Sequence, residues 1–449
     1  MRQPRAQRSW PERRKAAAAM AKDRLPFTLR LYRGSTRVAA PFAGRILKRR
    51  LKRDREDPLR VGERRGIASL PRPHGPLVWV HGASVGEILA VMSLLERIRA
   101  SGVTILLTSG TVTAARLAQR RLPEGVLHQF VPLDSPAFVQ RFLDYWQPGL
   151  VLLVESELWP NMITETSRRS TPIVLVNGRL SGRSFGRWRK FGRTASALLS
   201  CIDLCLAQET DDARRLAELG APRVFTTGNL KFDVPPPPAD AMALSALKRG
   251  TRERPVVLAA STHQGEEKAI IEAHRRLRRA VPDLLTIIAP RHPERGRSIA
   301  SQAEDAGLLA VLRTRALLPD SGTEIYVADT IGELGLFFRL APIVFVGGSL
   351  VKHGGQNPIE PAKLDCAILH GPFVSNFSVV YAELNRARGA ATVTDADSLT
   401  TSMELLLRDP ALVREMAEAA HSTVLRLGGA LERTYAAIEP YLVQLRLSN

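Results

Sequence analysis

The sequence predicts an α/β protein made of two Rossmann-like domains that face each other across a cleft. Apolar, strand-like segments alternate with helical patterns, this alternation occurs in two series, and a proline-rich segment separates the series. Repeated β and α segments form parallel sheets with helices on both faces. The chain of 449 residues, 45% of them hydrophobic, is long enough for two domains that each have a core.

The first series places strands at LVWVHG, TILLTSG, VLHQFVPLD, LVLLVES, PIVLVNG and LCLAQ, and predicts an N-terminal domain over residues 67–233. The segment VPPPPAD then stops helix and strand because proline lacks an amide hydrogen, so we predict a stiff linker over residues 234–254. The second series places strands at PVVLAAS, LLTIIAP, the apolar run before GGS, CAILHG and ATVTD. Closing helical segments complete a C-terminal domain over residues 255–449.

Residues 1–66 form a strongly basic segment. They hold 21 of the 64 Lys and Arg residues but only 6 of the 44 acidic ones, so most of the net charge of +20 lies there. Arg30, Arg33 and Arg37 recur at helical spacing beside apolar residues, which is typical of a helical arm that lies on an anionic membrane. A solvated basic tail is the alternative. If the chain starts at Met20, residues 1–19 are an upstream extension.

The rest of the composition excludes several classes of protein. The basicity does not extend over the remaining chain, so no nucleic-acid groove is expected. Three cysteines, Cys201, Cys205 and Cys366, cannot form a disulfide framework and indicate buried thiols in a reducing cytosol. The sequence contains no run of 18 uncharged apolar residues, so no membrane-spanning helix is predicted.

The stretch GGSLVKHGGQNPIEP, residues 347–361, follows an apolar strand and leads into a predicted helix. Asn357 suits the N-cap, Pro358 the first turn and Glu360 the N3 position of a capping box. Paired glycines let the backbone approach a ligand, and free amides at a helix start favour a phosphate. The alternative interpretation is a capped helix that binds no ligand.

Polar residues also follow the strands of the first domain. Glu87, in HGASVGE, fits either the last position of a capping box or a general base at a helix start. Glu155 and Glu157 follow one strand, and both are not expected to be buried unpaired. Arg179 follows another strand and suits an anionic substrate. Lys231 lies near the predicted domain junction.

The second domain has similar strand exits. IIAPRHPER leaves Arg291 and His292 after a strand, and DTIGEL places Gly332 and Glu333 at a helix start. Each motif is weak alone. Five polar, glycine-containing strand exits in two domains together predict a ligand site.

These motifs occur in the order HGASVGE, ESELWPNMI, NGRLSGRSF, TGNLKFD, ASTHQGEE, APRHPER, DTIGEL and VGGSLVKHGGQNPIEPA. In this order they resemble the 3-deoxy-D-manno-octulosonic acid (Kdo) transferases of lipopolysaccharide assembly, from about Leu25 to the C-terminus. The resemblance implies a GT-B fold. It also implies an inverting glycosyltransferase that moves Kdo from CMP-Kdo onto a lipid A precursor at the cytoplasmic face of the bacterial inner membrane.

The resemblance assigns roles to individual residues. It makes Glu87 the proton acceptor of the acceptor's 6′-hydroxyl, and Glu155 and Lys231 the transition-state stabilisers. It implies no metal and no cofactor beyond the CMP-Kdo substrate. The CMP contacts that it implies are Pro290, Arg291, Ile331, Gly332, Glu333, Asn357, Pro358, Ile359 and Glu360.

Three departures from the family pattern qualify this assignment. Arginines interrupt the hydrophobic N-terminal anchor of many members, which favours peripheral membrane binding over spanning. The usual TTMTPTG stretch reads LTSGTVTA, and the frequent GGHNP reads GGQNP with Gln356. Two rival classes are another GT-B nucleotide-sugar transferase or epimerase, and a basic binder of membrane surfaces or nucleic acid.

Overall fold

The computed structural model describes residues 25–251, 254–315 and 318–447, which form two compact units. The first unit comprises residues up to Val234 together with Gly428 onward, and the second comprises Pro235–Leu427. Each unit contains one sheet of seven parallel strands. With the strands numbered in chain order, the first sheet has the order 3-2-1-4-5-6-7 and the second the order 10-11-9-8-12-13-14. The predicted α/β architecture with two Rossmann-like units is confirmed.

The first unit alternates strands and helices as its sequence pattern predicts. Its strands are β1 (Leu77–His81), β2 (Thr104–Ser109), β3 (Leu127–Phe130), β4 (Leu150–Val154), β5 (Ile173–Gly178), β6 (Leu204–Ala207) and β7 (Val224–Thr226). Its helices are α1 (Phe27–Ala39), α2 (Ala43–Leu51), α3 (Val85–Arg99), α4 (Val112–Arg121), α5 (Pro136–Trp146), α6 (Pro160–Arg168), α7 (Gly182–Lys190), α8 (Gly192–Leu199), α9 (Thr210–Glu218) and α18 (Ala430–Leu447).

The central strands of this unit are buried on both faces. In β1, Val78 and Val80 belong to one hydrophobic cluster, whereas Leu77 and Trp79 belong to another. Successive side chains of a strand point to opposite faces, so the two clusters are the helix layers on either side of the sheet. The polar ends of the strands are thereby fixed along one edge.

The second unit repeats this arrangement. Its strands are β8 (Val256–Thr262), β9 (Leu285–Pro290), β10 (Ala310–Leu312), β11 (Ile325–Val327), β12 (Ile343–Val346), β13 (Ala367–His370) and β14 (Ala390–Thr392). Its helices are α10 (Ala241–Thr251), α11 (Glu266–Leu277), α12 (Gly296–Asp305), α13 (Leu334–Phe338), α14 (Ile359–Ala362), α15 (Ser378–Arg386), α16 (Ala396–Arg408) and α17 (Pro410–Leu427). The sequence prediction lacked β7 of the first unit and β10 and β11 of this one, since a strand of three residues is too short to show a clear alternation.

The assignment of all closing helices to the C-terminal domain was wrong for α18. Ile438, Tyr441, Leu442 and Leu445 of α18 join the hydrophobic cluster of the first unit. The loop before α18 is fixed there as well, since the Asp233 carboxylate accepts the amides of Gly429 and Leu431 at 2.7 Å each. The chain therefore returns to complete the first unit.

The predicted linker over residues 234–254 was too long. Residues 241–251 form α10, whose Leu247 is fully buried in the second unit. Arg254 donates to the carbonyl oxygens of Asp283, Asp320 and Thr323. Among the described residues of the predicted linker, the proline-rich segment before α10 lacks helix and strand, in keeping with the missing amide hydrogens of proline.

The basic arm is helical but packs onto the first unit instead of forming a separate domain. Leu29 is buried in its core, and the Tyr32 hydroxyl donates to Asp134 at 3.0 Å. Arg64 is buried and donates to Glu56 at 2.8 Å, so the predicted end of the arm at residue 66 lies inside the folded unit. Residues 1–24, with the question of Met1 or Met20, lie outside the described residues.

Candidate active site

Glu87 lies at the start of α3, directly after β1. Its carboxylate accepts the Ala83 amide at 2.7 Å and the Ser84 hydroxyl at 2.8 Å, while the Glu87 amide donates weakly to Ser84 Oγ at 3.4 Å. Glu87 therefore does take part in capping the start of α3, as one of its two interpretations predicted. Burial raises the pKa of Glu87, with Glu157 and Glu155 adding to the rise, although the Ser84 and Ala83 hydrogen bonds oppose it. A carboxylate of raised pKa suits a general base.

A buried histidine connects the end of β1 to Glu157. Trp79 Nε1 donates to Thr108 Oγ1 at 2.9 Å, and the same hydroxyl lies 2.9 Å from His81 Nδ1. If the Thr108 hydrogen goes to Nδ1, Nε2 carries the His81 proton and faces Glu157 Oε2 at 3.3 Å. Burial opposes ionisation of Glu157, but His81 and the Trp159 indole together lower its pKa. Glu157 is therefore not buried without a partner, in agreement with the sequence analysis.

Glu155 and Lys231 form an ion pair at the ends of β4 and β7. Lys231 Nζ donates to Glu155 Oε1 at 2.8 Å, and both side chains are partly exposed. Glu155 adopts φ 56°, an uncommon backbone conformation for a residue other than glycine. Such strain is often found at functional sites. Asn177 Oδ1 accepts the Leu230 amide at 3.0 Å and holds the Lys231 segment against β5.

The structure brings together four of the residues that the sequence analysis singled out in the first unit. The charges of Glu155 and Glu157 both act on Glu87, whose carboxylate therefore shares a strand-end site with the Lys231 ion pair. Arg179 also follows its strand, β5. Its positive charge acts on the carboxylates of Glu209 and Asp212, where it opposes the rise in their pKa. Its backbone lies beside the Glu155 turn, with the Arg179 amide 3.4 Å from the Glu155 carbonyl oxygen, and its side chain is exposed.

A pocket of about 90 Å³ lies at the strand ends of the second unit. Four of the predicted CMP contacts line it, namely Pro290, Arg291, Ile331 and Gly332. Arg291 is exposed, and its guanidinium has no hydrogen bond or ion pair among the described residues. Ile331 is 84% exposed, which is unusual for an isoleucine and leaves an apolar surface at the pocket. A free cation beside an apolar surface suits a nucleotide.

Glu333 lies beside this pocket without lining it. Arg313 donates to both of its oxygens, at 2.9 and 3.2 Å, and Thr330 donates as well. These contacts, led by the Arg313 hydrogen bond, lower the pKa of Glu333. The Glu333 carboxylate therefore holds the turn that presents Ile331 and Gly332.

The remaining predicted contacts, residues 357–360, do not line the pocket. The predicted helix there is a single turn, α14, that starts at Ile359 and has Pro358 as its N-cap. Asn357 Oδ1 still accepts the Ile359 amide at 3.1 Å, and its Nδ2 donates to Glu360 at 3.2 Å. Pro358 and Ile359 are buried. A helix of four residues has too few aligned peptides for a substantial dipole.

The glycine loop after β12 already contains an anion of its own. The buried Glu266 carboxylate accepts the amides of Gly348, Ser349 and Leu350 at 2.7 to 2.9 Å, and the His263 amide at 2.8 Å. Gly355 and Gln356 donate their amides within the loop. The expectation that free loop amides face a phosphate was wrong for these residues, because Glu266 occupies the position of the ligand.

Within the described ranges, no three His, Cys, Asp or Glu side chains form a group that could hold a metal ion. The predicted lack of a metal cofactor stays a prediction. The helices of the described part of the chain are too short or too polar to cross a membrane.

Sequence reasoning missed several residues that hold these sites. Glu266 in THQGEE and Asn177 in VNGR are buried anchors, and His81 is the last residue of a fully buried strand. A polar residue at the end of an apolar strand was the available signal for Asn177 and His81. Nothing local to Glu266 indicates that its partners lie some 80 residues later.

The fold and these strand-end residues define a class of protein. A solved glycosyltransferase from Rickettsia africae has a TM-score of 0.57 to this chain at 11% identity, covering 82% of this chain and 98% of its own. A UDP-GlcNAc 2-epimerase from Neisseria meningitidis has a TM-score of 0.54 at 12% identity, covering 83% and 100%. The structure thus has the GT-B fold of such glycosyltransferases and epimerases.

Within that class, the chain belongs to the 3-deoxy-D-manno-octulosonic acid transferase family. The family model described as 3-Deoxy-D-manno-octulosonic-acid transferase (kdotransferase) matches residues 59–234. The Haemophilus influenzae 3-deoxy-D-manno-octulosonic acid transferase is 34% identical over 392 residues, which is 85% of this chain and 91% of that protein. The Rickettsia bellii transferase is 32% identical over 416 residues, 92% and 98%. The resemblance seen in the motifs is confirmed, and it supports a Kdo glycosyltransferase.

Proposed function

We propose that the protein transfers Kdo from CMP-Kdo to the 6′-hydroxyl of a lipid A precursor, with inversion at the anomeric carbon. The observation that carries this proposal is the Glu87 carboxylate, which has a raised pKa and is held at the end of β1 in a chain of the Kdo transferase family. The first unit would bind the acceptor, and the second unit the nucleotide sugar.

Glu87 acts as the general base in this proposal. The acceptor hydroxyl attacks the anomeric carbon of Kdo, a C–O bond forms, and the bond to the CMP phosphate breaks with its electron pair leaving on phosphate. The hydroxyl proton passes to Glu87, so no covalent enzyme intermediate is needed. A single displacement from the face opposite the leaving group inverts the configuration.

The Glu155–Lys231 pair stabilises the transition state. Charge separates as the sugar becomes cationic and the phosphate takes up negative charge. Lys231 supplies a positive charge fixed by the 2.8 Å contact with Glu155, and Glu155 adds a negative one. Because both charges are held before the reaction, little reorganisation is needed when the bond breaks.

CMP occupies the pocket of the second unit in this proposal. The Arg291 guanidinium, which has no partner among the described residues, contacts the phosphate, and the exposed Ile331 covers the base. Gly332, with φ 89°, lets the turn approach the nucleotide. Glu333, Pro290 and residues 357–360 remain proposed contacts. Arginine and lysine supply the positive charge, so the proposal includes neither metal nor cofactor.

The test is a direct transfer assay. We expect purified protein, incubated with CMP-Kdo and a lipid A precursor, to give a product heavier by Kdo units in mass spectrometry. CMP should also raise the thermal unfolding midpoint, because a ligand that binds only the folded state stabilises it. Protection by UDP and not by CMP, with no product, would favour another nucleotide-sugar enzyme.

We also propose that α1 and α2 bind the anionic cytoplasmic face of the inner membrane. Leu29 and Leu47 are buried against the first unit, whereas Leu31, Phe42 and Ile46 are about half exposed or more. The exposed apolar residues lie among arginines and lysines. Within the described part of this segment, Arg33 and Arg50 are the basic residues that form ion pairs. An apolar face inserted among basic side chains is typical of interfacial helices.

Changing Leu31 and Phe42 to aspartate should weaken binding to vesicles that contain anionic phospholipid by about tenfold or more, because each change removes inserted apolar area and adds a repelled charge. Vesicle co-sedimentation measures this. Leu425→Asp, at a 62% exposed leucine of the second unit, is the matched control. Deleting residues 1–66 is a poorer test because it removes the buried Glu56, Glu63 and Arg64. Unchanged sedimentation of the double variant would contradict the membrane proposal.

A further inference from the structure

The second unit has another pocket, of about 410 Å³, that the proposed function does not use. Its polar lining residues come from the ends of β8 and β9 and from the loop after β12: His263, Gln264, His292, Arg295, Lys352 and His353. It shares no lining residue with the pocket proposed for cytidine, although both use the ends of β8 and β9.

Three histidines, an arginine and a lysine line this pocket. The His263 ring lies 3.8 Å from the His353 ring and 6.0 Å from the His292 ring, measured between centroids. Arg295 is neutralised by Glu267, at 2.7 and 3.0 Å, and Glu266 is occupied by the glycine loop. Lys352 has no ion pair among the described residues, and its ammonium lies 6.0 Å from the Phe373 ring. The remaining acid, Glu294, is exposed and 3.5 Å from His292.

Gln356 determines which nitrogen of His263 carries the proton. Gln356 Nε2 lies 2.9 Å from His263 Nε2. An amide nitrogen only donates, so His263 Nε2 accepts and Nδ1 carries the hydrogen. Nδ1 has no partner among the described residues, although His263 is only 7% exposed. This hydrogen is therefore available to an acceptor atom of a ligand in the pocket.

The surroundings keep His263 neutral. Burial, together with the positive influence of His353, His292 and Arg291, lowers its pKa to about 4, and Glu267 only partly opposes this. His263 therefore donates as a neutral imidazole near pH 7. An anion bound at Nδ1 would favour the protonated ring and raise the pKa again.

We propose that this pocket binds an oxyanion of the donor, its carboxylate or its phosphate, through the His263 Nδ1 hydrogen, Lys352 and His353. Gln356 is the positioning residue that directs this hydrogen to the ligand. The proposal rests on the proposed function, because the acidic nucleotide sugar carries both groups. It adds a charged subsite to the cytidine pocket.

The test uses the full chain with Lys352→Ala and His353→Gln combined, since both side chains are exposed and their loss should not disturb folding. A phosphate in the pocket predicts that CMP affinity falls about tenfold while cytidine affinity is unchanged, in calorimetry. If the pocket instead binds the carboxylate of the donor, the double variant should bind CMP and cytidine with unchanged affinity. Its KM for CMP-Kdo should then be about tenfold higher, at a similar kcat. Lys248→Ala with His421→Gln is the matched control elsewhere in the unit. Unchanged CMP affinity and unchanged KM would overturn the proposal.

A spectroscopic measurement separates this inference from the proposed function. ¹⁵N spectra of the histidine side chains should show His263 protonated at Nδ1, and titration with inorganic phosphate should shift that signal to saturation. Gln356→Leu should abolish the preference for Nδ1, because it removes the donor to Nε2. If the protein transferred no Kdo but showed both effects, the proposed function would be wrong and the proposed subsite would still stand. A His263 protonated at Nε2, or a signal insensitive to phosphate, would overturn the subsite.

Discussion

Replacing Glu87 by glutamine is expected to lower the turnover of Kdo transfer by about 10³-fold, within the usual range for loss of a general base. Glutamine keeps the size of the side chain and can still accept the Ala83 amide, so α3 should keep its start. It cannot take a proton from the acceptor hydroxyl. Steady-state kinetics with CMP-Kdo and a lipid A precursor measure this, and CMP affinity should stay nearly unchanged.

The pH dependence gives an independent measure of the same role. Burial raises the pKa of Glu87, and only the ionised carboxylate acts as a base. As the pH falls through that raised pKa, kcat/KM should therefore fall, at a higher pH than an ordinary glutamate would give. Ser84→Ala removes a hydrogen bond that favours the charged form, so it should move this acidic limb to still higher pH.

Glu96→Gln provides the matched control, because Glu96 is an exposed glutamate on the same helix. It should leave both turnover and the pH profile unchanged. If Glu87→Gln retained normal turnover while only lowering thermal stability, Glu87 would be a helix cap and not a base.

The sequence predicted those parts of the fold and site that depend on short stretches of chain. β1 and β4 are continuous apolar runs, and their burial on both faces follows from that pattern. Glu87 and Arg291 were found because each directly follows such a strand. Lys231 was predicted from its place near the proline-rich segment and from the family resemblance, and its pairing with Glu155 became visible only in the fold.

The parts that sequence did not predict depend on distant contacts. α18 has the same apolar helical pattern whether it packs on the first or the second unit, so Ile438 and Leu442 gave no indication of their partner. The glycine loop shows the same limit. Its glycines favour close approach of an anion, but no local pattern distinguishes a bound phosphate from the Glu266 carboxylate.

Replacing Glu266 by alanine is expected to lower the free energy of unfolding of the second unit by about 4 kcal/mol or more. The change leaves up to four backbone amides without an acceptor, and each buried unsatisfied donor costs about 1–3 kcal/mol. Glu266→Gln should be nearly as harmful because its amide group brings hydrogens against those donors. Chemical denaturation followed by hydrogen exchange of the Gly348–Leu350 amides measures the effect.

Glu272→Ala is the matched control, on the same helix, α11. Glu272 pairs only with the exposed Arg275 and Arg276, so its loss should leave the unfolding midpoint unchanged. Because Gly348 lies against His263 and Gln356, Glu266→Ala should also disturb the histidine-lined pocket and weaken phosphate binding there. If Glu266→Ala kept full stability and gained affinity for inorganic phosphate, the loop would be a phosphate site that Glu266 blocks, and its carboxylate would be an occupant and not an anchor.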